Sequence, residues 1–471
     1  MRVVSTAPPR SEEIEALLGL LGRERTARLR EAAAELRTTL GSGTLWHISS
    51  TDVGGGVAEI LHFLIPLYQY LGIPVRWMVV EGEAPFFAAT KRLGNQAYGS
   101  DESIDRLSSQ DRDCYVRTLA ANATQIRTVL GRDDVLMLHD HQTAGLVDLL
   151  SGSGARMYWR CHVGTDQPTV GSQQAWAYMS PFLKPASGVV FSVERHVPEL
   201  LGEHRLGLIP PVIWPFSPKN RHLSEPAIRE RLARCHLGRS PHPKGDDRVP
   251  VLTDGAPDPE APLVVQVSRW DRLKDMHGVL EGFGSQVPDG HLALLGPDPA
   301  AIPDDVEQVH WFQACRDTWR GLPRAQRRRA SVVCLPMSDM EDNALLVNAV
   351  QRAATVVVQK SLAEGFGLTV TEAMWKEKPV IGAAVGGIAE QIRHGHNGLL
   401  LDDPNNLDEC GRLIRSAVSG HFDLGGLGRR ARCDVHRNWL PDRDVVGTAD
   451  LLGGRSQDAI ARPDQRRGGE T

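Results

Sequence analysis

Residues 45–71 read LWHISSTDVGGGVAEILHFLIPLYQYL, in which an apolar run, a glycine-rich turn and an apolar helical segment follow one another. Similar short runs of β-branched or aromatic residues recur along the chain, separated by sequence of helical length. This alternation is typical of βαβ units in a parallel sheet. In the first half of the chain, the predicted strands are 45–49, 75–80, 135–139, 157–163 and 188–193.

The alternation restarts after a proline-rich stretch at 209–215. The predicted strands of this second set are 263–267, 292–295, 332–335, 355–358 and 379–385. The two sets predict an α/β protein with two Rossmann-like domains that face each other across a cleft. Ligands bind at the carboxyl ends of the strands in such sheets, so the cleft is the expected site.

The boundary between the two domains is predicted near residue 216. Residues 1–215 form an N-terminal domain that begins with one or two amphipathic helices at 11–38, and residues 216–440 form a C-terminal domain with a helix at 225–237. Residues 441–452 are predicted as a helix that crosses back to the N-terminal domain. The tail at 453–471 is predicted to be disordered.

The composition excludes several classes of protein. The chain has 471 residues, 41% of them hydrophobic, and a formal net charge of -5, which offers no positive field for a nucleic acid. Its apolar runs are too short for an integral membrane segment, and the N-terminus lacks the apolar core of a secretory signal. Seven cysteines without a CxxC pair indicate neither a zinc site nor a disulfide framework, which favours a cytoplasmic protein.

The first candidate site is the turn Gly54-Gly55-Gly56, between a predicted strand and a predicted helix. Glycines let the backbone approach a ligand closely, and the start of a helix offers free N–H groups to a phosphate. A tight strand-to-helix turn without a ligand accounts for the same glycines. A second flexible turn, Gly386-Gly387, follows the predicted strand at 379–385.

Two cations, Arg269 and Lys274, follow the first predicted strand of the second domain. Their place at the carboxyl edge of the sheet suits a diphosphate, because arginine supplies a fork of donors and lysine a point charge. For a cation pair taken alone, a solvated loop is the alternative.

The most specific pattern places Glu364 and Glu372 on either side of a Gly-Phe-Gly turn. A helix is predicted to begin near Thr369, and its free amides can meet a phosphate. The two carboxylates can accept hydrogen bonds from a sugar and from a ribose diol. Two surface glutamates are the alternative, which the apolar neighbouring residues disfavour.

Together these segments resemble the retaining nucleotide-sugar glycosyltransferases of GT-B fold. The shared pattern is the pair of glutamates separated by seven residues, the two upstream cations and the glycine loop. A closer likeness, from about residue 44 to residue 400, is to trehalose glycosyltransferring synthases. It is carried by the segments 54–62, 77–82, 86–91, 159–162 and 364–376.

The resemblance implies roles for individual residues. Arg269 and Lys274 would neutralise the donor diphosphate, Glu364 would hold the transferred sugar and His162 would contact it, which makes these four the expected catalytic residues. Glu372 would hold the nucleoside ribose. The implied donor-binding residues are Gly55, Gly56, Arg269, Lys274, Glu364, Gly365, Phe366, Gly367, Leu368, Thr369 and Glu372. The nucleotide diphosphate sugar is then a co-substrate, and neither a cofactor nor a metal is expected.

The acceptor side departs from the family pattern. Trehalose-forming relatives carry a carboxylate where this chain has Gly164, and Asp166 offers one two residues later. Because the loss of a paired contact to a hydroxyl discriminates strongly against that hydroxyl, an acceptor other than free glucose is expected. Asp140, Gln142 and Asp166 are the candidate acceptor-binding residues.

The expected function is a retaining, metal-independent hexosyltransferase that acts on a small-molecule acceptor of the specialised-metabolite type. Trehalose synthesis from nucleotide diphosphate glucose and glucose is one alternative, and a non-catalytic nucleotide-sugar binding protein is another. A dehydrogenase would require Gly-x-Gly-x-x-Gly spacing, which residues 54–56 lack. The sequence does not determine the nucleoside, the sugar, the acceptor, the linkage or whether the protein forms a homodimer.

Two further polar patterns are not expected to form sites. His139 and His141 have no additional ligand cluster near them in the sequence, so a metal is not indicated. The Asp-x-Asp motifs at 111–113 and 442–444 do not follow apolar strands and are expected to be solvated charges.

Overall fold

The computed structural model describes residues 1–6, 10–238, 249–255, 257–258, 260–301 and 306–455. The chain divides into two compact units, one formed by Met1–Val212 with the segment from Pro441 onward and the other by Ile213–Leu440. Most of the tail predicted to be disordered, from residue 456 onward, lies outside the described residues.

The first unit is built around a seven-stranded sheet. Its strands are β1 (Arg2–Val4), β2 (Leu45–Ser49), β3 (Val75–Val79), β4 (Val135–His139), β5 (Arg156–Cys161), β6 (Gly188–Phe191) and β7 (Leu206–Leu208). Its helices are α1 (Ser11–Leu40), α2 (Gly56–Tyr70), α3 (Ala84–Ala97), α4 (Ser109–Arg127), α5 (Gly145–Leu149) and α6 (Val170–Leu183). The strand order is β1-β3-β2-β4-β5-β6-β7, and every pairing is parallel except that of β1 with β3.

The second unit contains another seven-stranded sheet. Its strands are β8 (Val251–Leu252), β9 (Leu263–Val267), β10 (His291–Pro297), β11 (Ala330–Leu335), β12 (Val356–Gln359), β13 (Val380–Ala383) and β14 (Leu399–Leu401). Its helices are α7 (Glu225–Arg234), α8 (Met276–Gln286), α9 (Val306–Gly321), α10 (Arg324–Arg327), α11 (Met340–Ala353), α12 (Leu368–Trp375), α13 (Gly386–Gln391), α14 (Leu407–Val418) and α15 (Leu424–Asn438). The order is β14-β13-β12-β9-β10-β11-β8, with only β8 antiparallel to its neighbour.

The strands at the centre of both sheets are buried along their whole length. All five residues of β2, β4 and β9 are buried, because helices cover both faces of a parallel sheet. The ten predicted strands therefore appear where the apolar runs are, with ends that differ by a few residues. Within each unit, the loops at the carboxyl ends of these strands carry predicted site residues.

A last helix, α16 (Asp442–Leu452), belongs to the first unit although it follows the second in sequence. It packs against α1, where Arg25 pairs with Asp442 and Arg28 pairs with Asp450. A buried ion pair also joins α16 to β5, since Arg160 Nη1 lies 2.8 Å from Asp444 Oδ2.

The expectation that Asp442 and Asp444 are solvated charges is wrong. Asp442 is 3% exposed and Asp444 is fully buried, each paired with an arginine that is distant in sequence. Tyr68 also donates its hydroxyl to Asp444, over 2.9 Å. Buried carboxylates require such partners because desolvation of an unpaired charge is costly.

Within the described part of the chain, no helix is long and apolar enough to span a bilayer.

Candidate active site

The second unit brings together two of the predicted catalytic residues. Lys274 Nζ lies 2.5 Å from Glu364 Oε2, and Ser361 Oγ donates to the same oxygen over 3.0 Å. Lys274 ends a short 3-10 turn after β9, and Glu364 lies in the loop after β12. Because β9 and β12 are adjacent parallel strands, both side chains lie at the carboxyl edge, where such sheets bind ligands.

Hydrogen bonds hold the turn that carries Lys274. Asp271 accepts from the Leu273 amide over 2.7 Å, and Gln266 donates its side-chain amide to the Lys274 carbonyl over 2.8 Å. The adjacent Asp275 pairs with the buried Lys360. A cation fixed at this position needs little reorganisation to meet an anion.

Arg269 lies at the same edge but is oriented differently. Its side chain is 60% exposed and contacts Asp271 of its own loop, with Nη2 3.1 Å from Oδ2. An exposed guanidinium of this kind can turn to a ligand at a small cost in packing. Its assignment to the donor diphosphate stays a prediction.

The Gly365-Phe366-Gly367 turn leads directly into α12. Gly367 has φ 89°, in the region that favours glycine, and caps the helix without a side-chain hydrogen bond. Gln391 donates to the Phe366 carbonyl over 2.7 Å, which fixes the turn from α13. The half-buried Leu368 and Thr369 therefore begin a helix whose first amides can donate hydrogen bonds to an anionic ligand.

Glu372 lies further inside the same helix and is 1% exposed. Lys219 Nζ lies 3.6 Å from Glu372 Oε1, a cation that the sequence patterns did not single out. A ribose would therefore meet a carboxylate whose charge is already balanced. The role of Glu372 in ribose binding stays a prediction.

We expect Gly387→Ala to weaken donor binding, because a Cβ at residue 387 would lie 2.4 Å from the Phe366 Cα. Relief of this overlap must move the Gly365–Gly367 turn, at a cost of about 1–3 kcal/mol. The measurement is the donor KM together with the thermal midpoint. Gly321→Ala is the control, since a Cβ there would meet nothing within 4 Å. An unchanged donor KM in Gly387→Ala would show that the Gly365–Gly367 turn does not contribute to donor binding.

The first unit carries the glycine loop in an open conformation. Gly54 and Gly55 have φ 71° and 79°, and α2 begins at Gly56 without a side-chain cap. All three glycines are exposed, so the first amides of α2 are accessible. The loop is anchored by Asp52, which forms a two-contact ion pair with Arg2 of β1. The arrangement suits a phosphate as the sequence predicts, and that role stays a prediction.

Asp140 and His162 lie together after β4 and β5. Asp140 Oδ1 accepts a hydrogen bond from the His162 backbone amide over 2.7 Å. Burial raises the pKa of Asp140 to about 7, against the lowering effect of this bond and of Arg160. Gln142, the other candidate from this loop, is half-buried in the turn after β4.

The loop after His162 explains why residue 164 is a glycine. A Cβ at Gly164 would lie 2.5 Å from Cγ of His196, so the imidazole fills the space that a side chain would need. His196 Nε2 lies 3.1 Å from Asp166 Oδ1, and Arg195 Nε lies 3.9 Å from the same oxygen. The same His196 imidazole therefore occupies the space beside Gly164 and contacts the carboxylate of Asp166.

Sequence patterns missed Lys219, Ser361, His196 and Gln391, which all contact predicted site residues. No separate sequence motif marks these four residues, and only their contacts in the folded protein connect them with the site. Among the described residues, no three His, Cys, Asp or Glu side chains are grouped as a metal site requires.

The two units resemble domains of known transferases. A family model described as "Trehalose synthase, N-terminal domain" matches residues 47–198, and one described as "Glycosyl transferases group 1" matches residues 254–432. An α,α-trehalose 6-phosphate synthase from Burkholderia multivorans aligns with a TM-score of 0.64 and 14% identity, over 91% of this chain and 99% of that one. One from Burkholderia vietnamiensis aligns with a TM-score of 0.66 and 14% identity, over 87% and 99%. The family models and the fold define a glycosyltransferase of GT-B fold.

Sequence comparison gives the family. The chain is 33% identical to a trehalose synthase from Thermococcus litoralis over 410 residues, 86% of this chain and 89% of the relative. It is 33% identical to one from Rubrobacter xylanophilus over 445 residues, 92% of this chain and 96% of the relative. The chain belongs to the trehalose synthase family.

Proposed function

We propose that the protein transfers glucose from a nucleotide diphosphate glucose to free glucose, with retention at the anomeric carbon, and so forms trehalose. The observation that carries this proposal is the Lys274–Glu364 pair, joined by Ser361, at the carboxyl edge of β9 and β12. The relatives named trehalose synthase support glucose as the acceptor. They favour it over the specialised-metabolite acceptor that the sequence around Gly164 predicts.

On the donor side, the chain must stabilise the departing diphosphate. Lys274, Arg269 and the first amides of α12 supply positive charge where that anion develops, a function that needs no metal ion. A related structure from Anabaena contains UDP and glucose, and its TM-score to this chain is 0.58 with 15% identity. This neighbour supports a nucleotide sugar as the donor here.

In the proposed reaction, the bond between the anomeric carbon and the diphosphate oxygen breaks as the acceptor oxygen bonds to the same face of that carbon. The acceptor hydroxyl gives its proton to the leaving phosphate oxygen. Glu364, held by Lys274 and Ser361, accepts hydrogen bonds from the transferred sugar. In this proposal His162 would contact that sugar, and Asp140, which accepts a hydrogen bond from the His162 amide, would lie on the acceptor side.

On the acceptor side, the contact between Asp166 and His196 supports glucose. The carboxylate missing at residue 164 is replaced by one that His196 and Arg195 hold two residues later. The loop therefore still offers a carboxylate that could accept a hydrogen bond from an acceptor hydroxyl. The glycine at residue 164 is thus compatible with glucose as the acceptor.

The proposed function is tested by incubation of the protein with UDP-, ADP- and GDP-glucose in the presence of glucose. The product is identified by NMR, which distinguishes α,α-trehalose from its anomers. Glucose 6-phosphate, a cyclitol, an aminosugar and a thiol compete as acceptors in parallel. Preference for one of these acceptors would refute glucose as the acceptor, although the protein would still be a glycosyltransferase. Donor binding without transfer to any acceptor would indicate a nucleotide-sugar binding protein.

We expect Asp166→Asn to raise the KM for the acceptor about 10- to 100-fold, as for loss of a hydrogen bond to a charged group. The donor KM should change little, because Asp166 is not among the predicted donor-binding residues and contacts His196 and Arg195 instead. Asp113→Asn, at an exposed position on α4, is the control. Equal acceptor KM values in the two variants would remove Asp166 from the acceptor site.

A further inference from the structure

Three histidines form a continuous chain across the sheet of the first unit. His47 Nδ1 lies 2.9 Å from His139 Nε2, and His139 Nδ1 lies 3.3 Å from His162 Nε2. His162 Nδ1 lies 3.4 Å from Ser192 Oγ. We call His47, His139 and His162 the histidine chain. Its residues, with Ser192, come from or directly follow β2, β4, β5 and β6, four neighbouring strands.

The protein around the histidine chain keeps the imidazoles neutral. Desolvation lowers the pKa of His47 to about 4, where Asp444 opposes the shift and Arg160 adds to it. Desolvation and Arg160 also hold the pKa values of His139 and His162 well below the usual range. A neutral imidazole has one N–H donor and one acceptor nitrogen.

Neutral imidazoles restrict the histidine chain to two arrangements. His139 uses both ring nitrogens, so the hydrogen bonds run either from His47 towards His162 or in reverse. In the first arrangement every ring carries its proton on Nδ1, and in the second on Nε2. The choice fixes whether His162 offers a donor or an acceptor on its Nδ1 side.

The buried end of the histidine chain favours the first arrangement. His47 Nε2 has no hydrogen-bond partner among the described residues, and neither does the buried donor Arg160 Nε. With the proton on Nδ1, His47 leaves an unpaired acceptor, whereas the reverse arrangement leaves a second buried N–H without an acceptor. Among buried backbone groups, orphaned N–H donors are rarer than under-satisfied carbonyl acceptors, and we apply the same preference to the imidazole.

We propose that His47 and His139 are positioning residues that keep His162 protonated on Nδ1, so that it donates a hydrogen bond to the sugar and cannot serve as a general base. The proposal rests on the proposed function for the place of His162 beside the sugar. The 3.4 Å contact with Ser192 is long for a hydrogen bond. A substrate hydroxyl can therefore compete for this N–H, while Nε2 is occupied by His139.

The test is ¹⁵N NMR of the full-length protein labelled at histidine, with His162→Asn used to assign the signal. We expect the shifts of a neutral, Nδ1-protonated ring for His162 between pH 6 and about 8, since the unperturbed histidine pKa is about 6.5. An Nε2-protonated or charged His162 would overturn the proposal. This experiment needs no turnover, so it stands apart from a failure of the proposed function.

Kinetics of variants supply the second arm of the test. His139→Leu should lower kcat about 10- to 100-fold by misplacing His162, and His47→Leu should alter the His162 shifts. His47→Asn, which retains a donor near the Nδ1 position, should restore them. His291→Leu is the matched control, because His291 is a buried histidine bonded to Ser331 over 2.8 Å in the second unit. Unaltered shifts and kcat in His47→Leu and His139→Leu would contradict a positioning role.

Discussion

Replacement of Lys274 by Met should lower kcat at least a hundredfold while the protein remains folded. Lys274 Nζ lies 2.5 Å from Glu364 and is fixed in its turn by the Gln266 side chain. A preorganised donor of this kind, when removed, costs about 2.7–4 kcal/mol of barrier height, or roughly 10²–10³ in rate. Arg269→Ala should also lower kcat by orders of magnitude and, at 60% exposure, should leave stability almost unchanged.

Two comparisons make this result specific. In Lys274→Met the Glu364 carboxylate loses its cation and keeps only the Ser361 hydroxyl. Comparison of the folded states of Lys274→Met and Lys274→Met/Glu364→Gln tests whether the stranded anion destabilises the protein. Arg412→Ala, at an exposed position on α14, is the control for a lost surface charge. Rates are measured at saturating donor, with circular dichroism to monitor the fold. Turnover like that of the unmodified chain in both Lys274→Met and Arg269→Ala would remove the diphosphate assignment.

The largest loss of stability is expected from Asp444→Ala. Its partner Arg160 is 2% exposed, and Asp444 is fully buried. Removal of one member of a buried ion pair leaves the other charge uncompensated, which typically costs about 3–5 kcal/mol. Tyr68 loses an acceptor in the same variant. The change should lower the urea midpoint of the transition that reports on the first unit.

A double variant tests the reason for this loss. Arg160→Met/Asp444→Leu removes both charges and should recover part of the stability, because apolar side chains of similar volume can replace a buried pair. Recovery remains incomplete, since Arg160 also donates to the Ile209 carbonyl. Glu341→Gln, which breaks the exposed pair with Arg221, should change stability by less than about 1 kcal/mol. An Asp444→Ala midpoint equal to that of Glu341→Gln would contradict the account.

The sequence was sufficient to predict the interior strands of both sheets, and its failures have a common physical cause. The four strands that it did not predict are β1, β7, β8 and β14, which occupy the edges of the sheets. They are two or three residues long. An edge strand pairs on one side only and needs no long apolar run, so its pattern is too weak to recognise.

Site residues were predictable from the sequence where they belong to a recognisable motif. Glu364 and Lys274 were recognisable, but their direct contact depends on the adjacency of β9 and β12. Gly164 was interpreted as a lost carboxylate because its neighbour His196 is 32 residues further along the chain, where no local pattern reveals the contact. The histidine chain was missed for the same reason, since each histidine lies in or directly after a different strand.

The return of α16 to the first unit has a consequence for synthesis on the ribosome. Arg160 and Asp444 are 284 residues apart in sequence, and the whole second unit is translated between them. At a translation rate of about 5–20 residues per second, Asp444 is synthesised roughly 14–57 s after Arg160. The first unit therefore cannot complete its core while it is the only part translated. A nascent chain released before residue 444 should be a substrate for chaperones or proteases, even if its second unit has already folded.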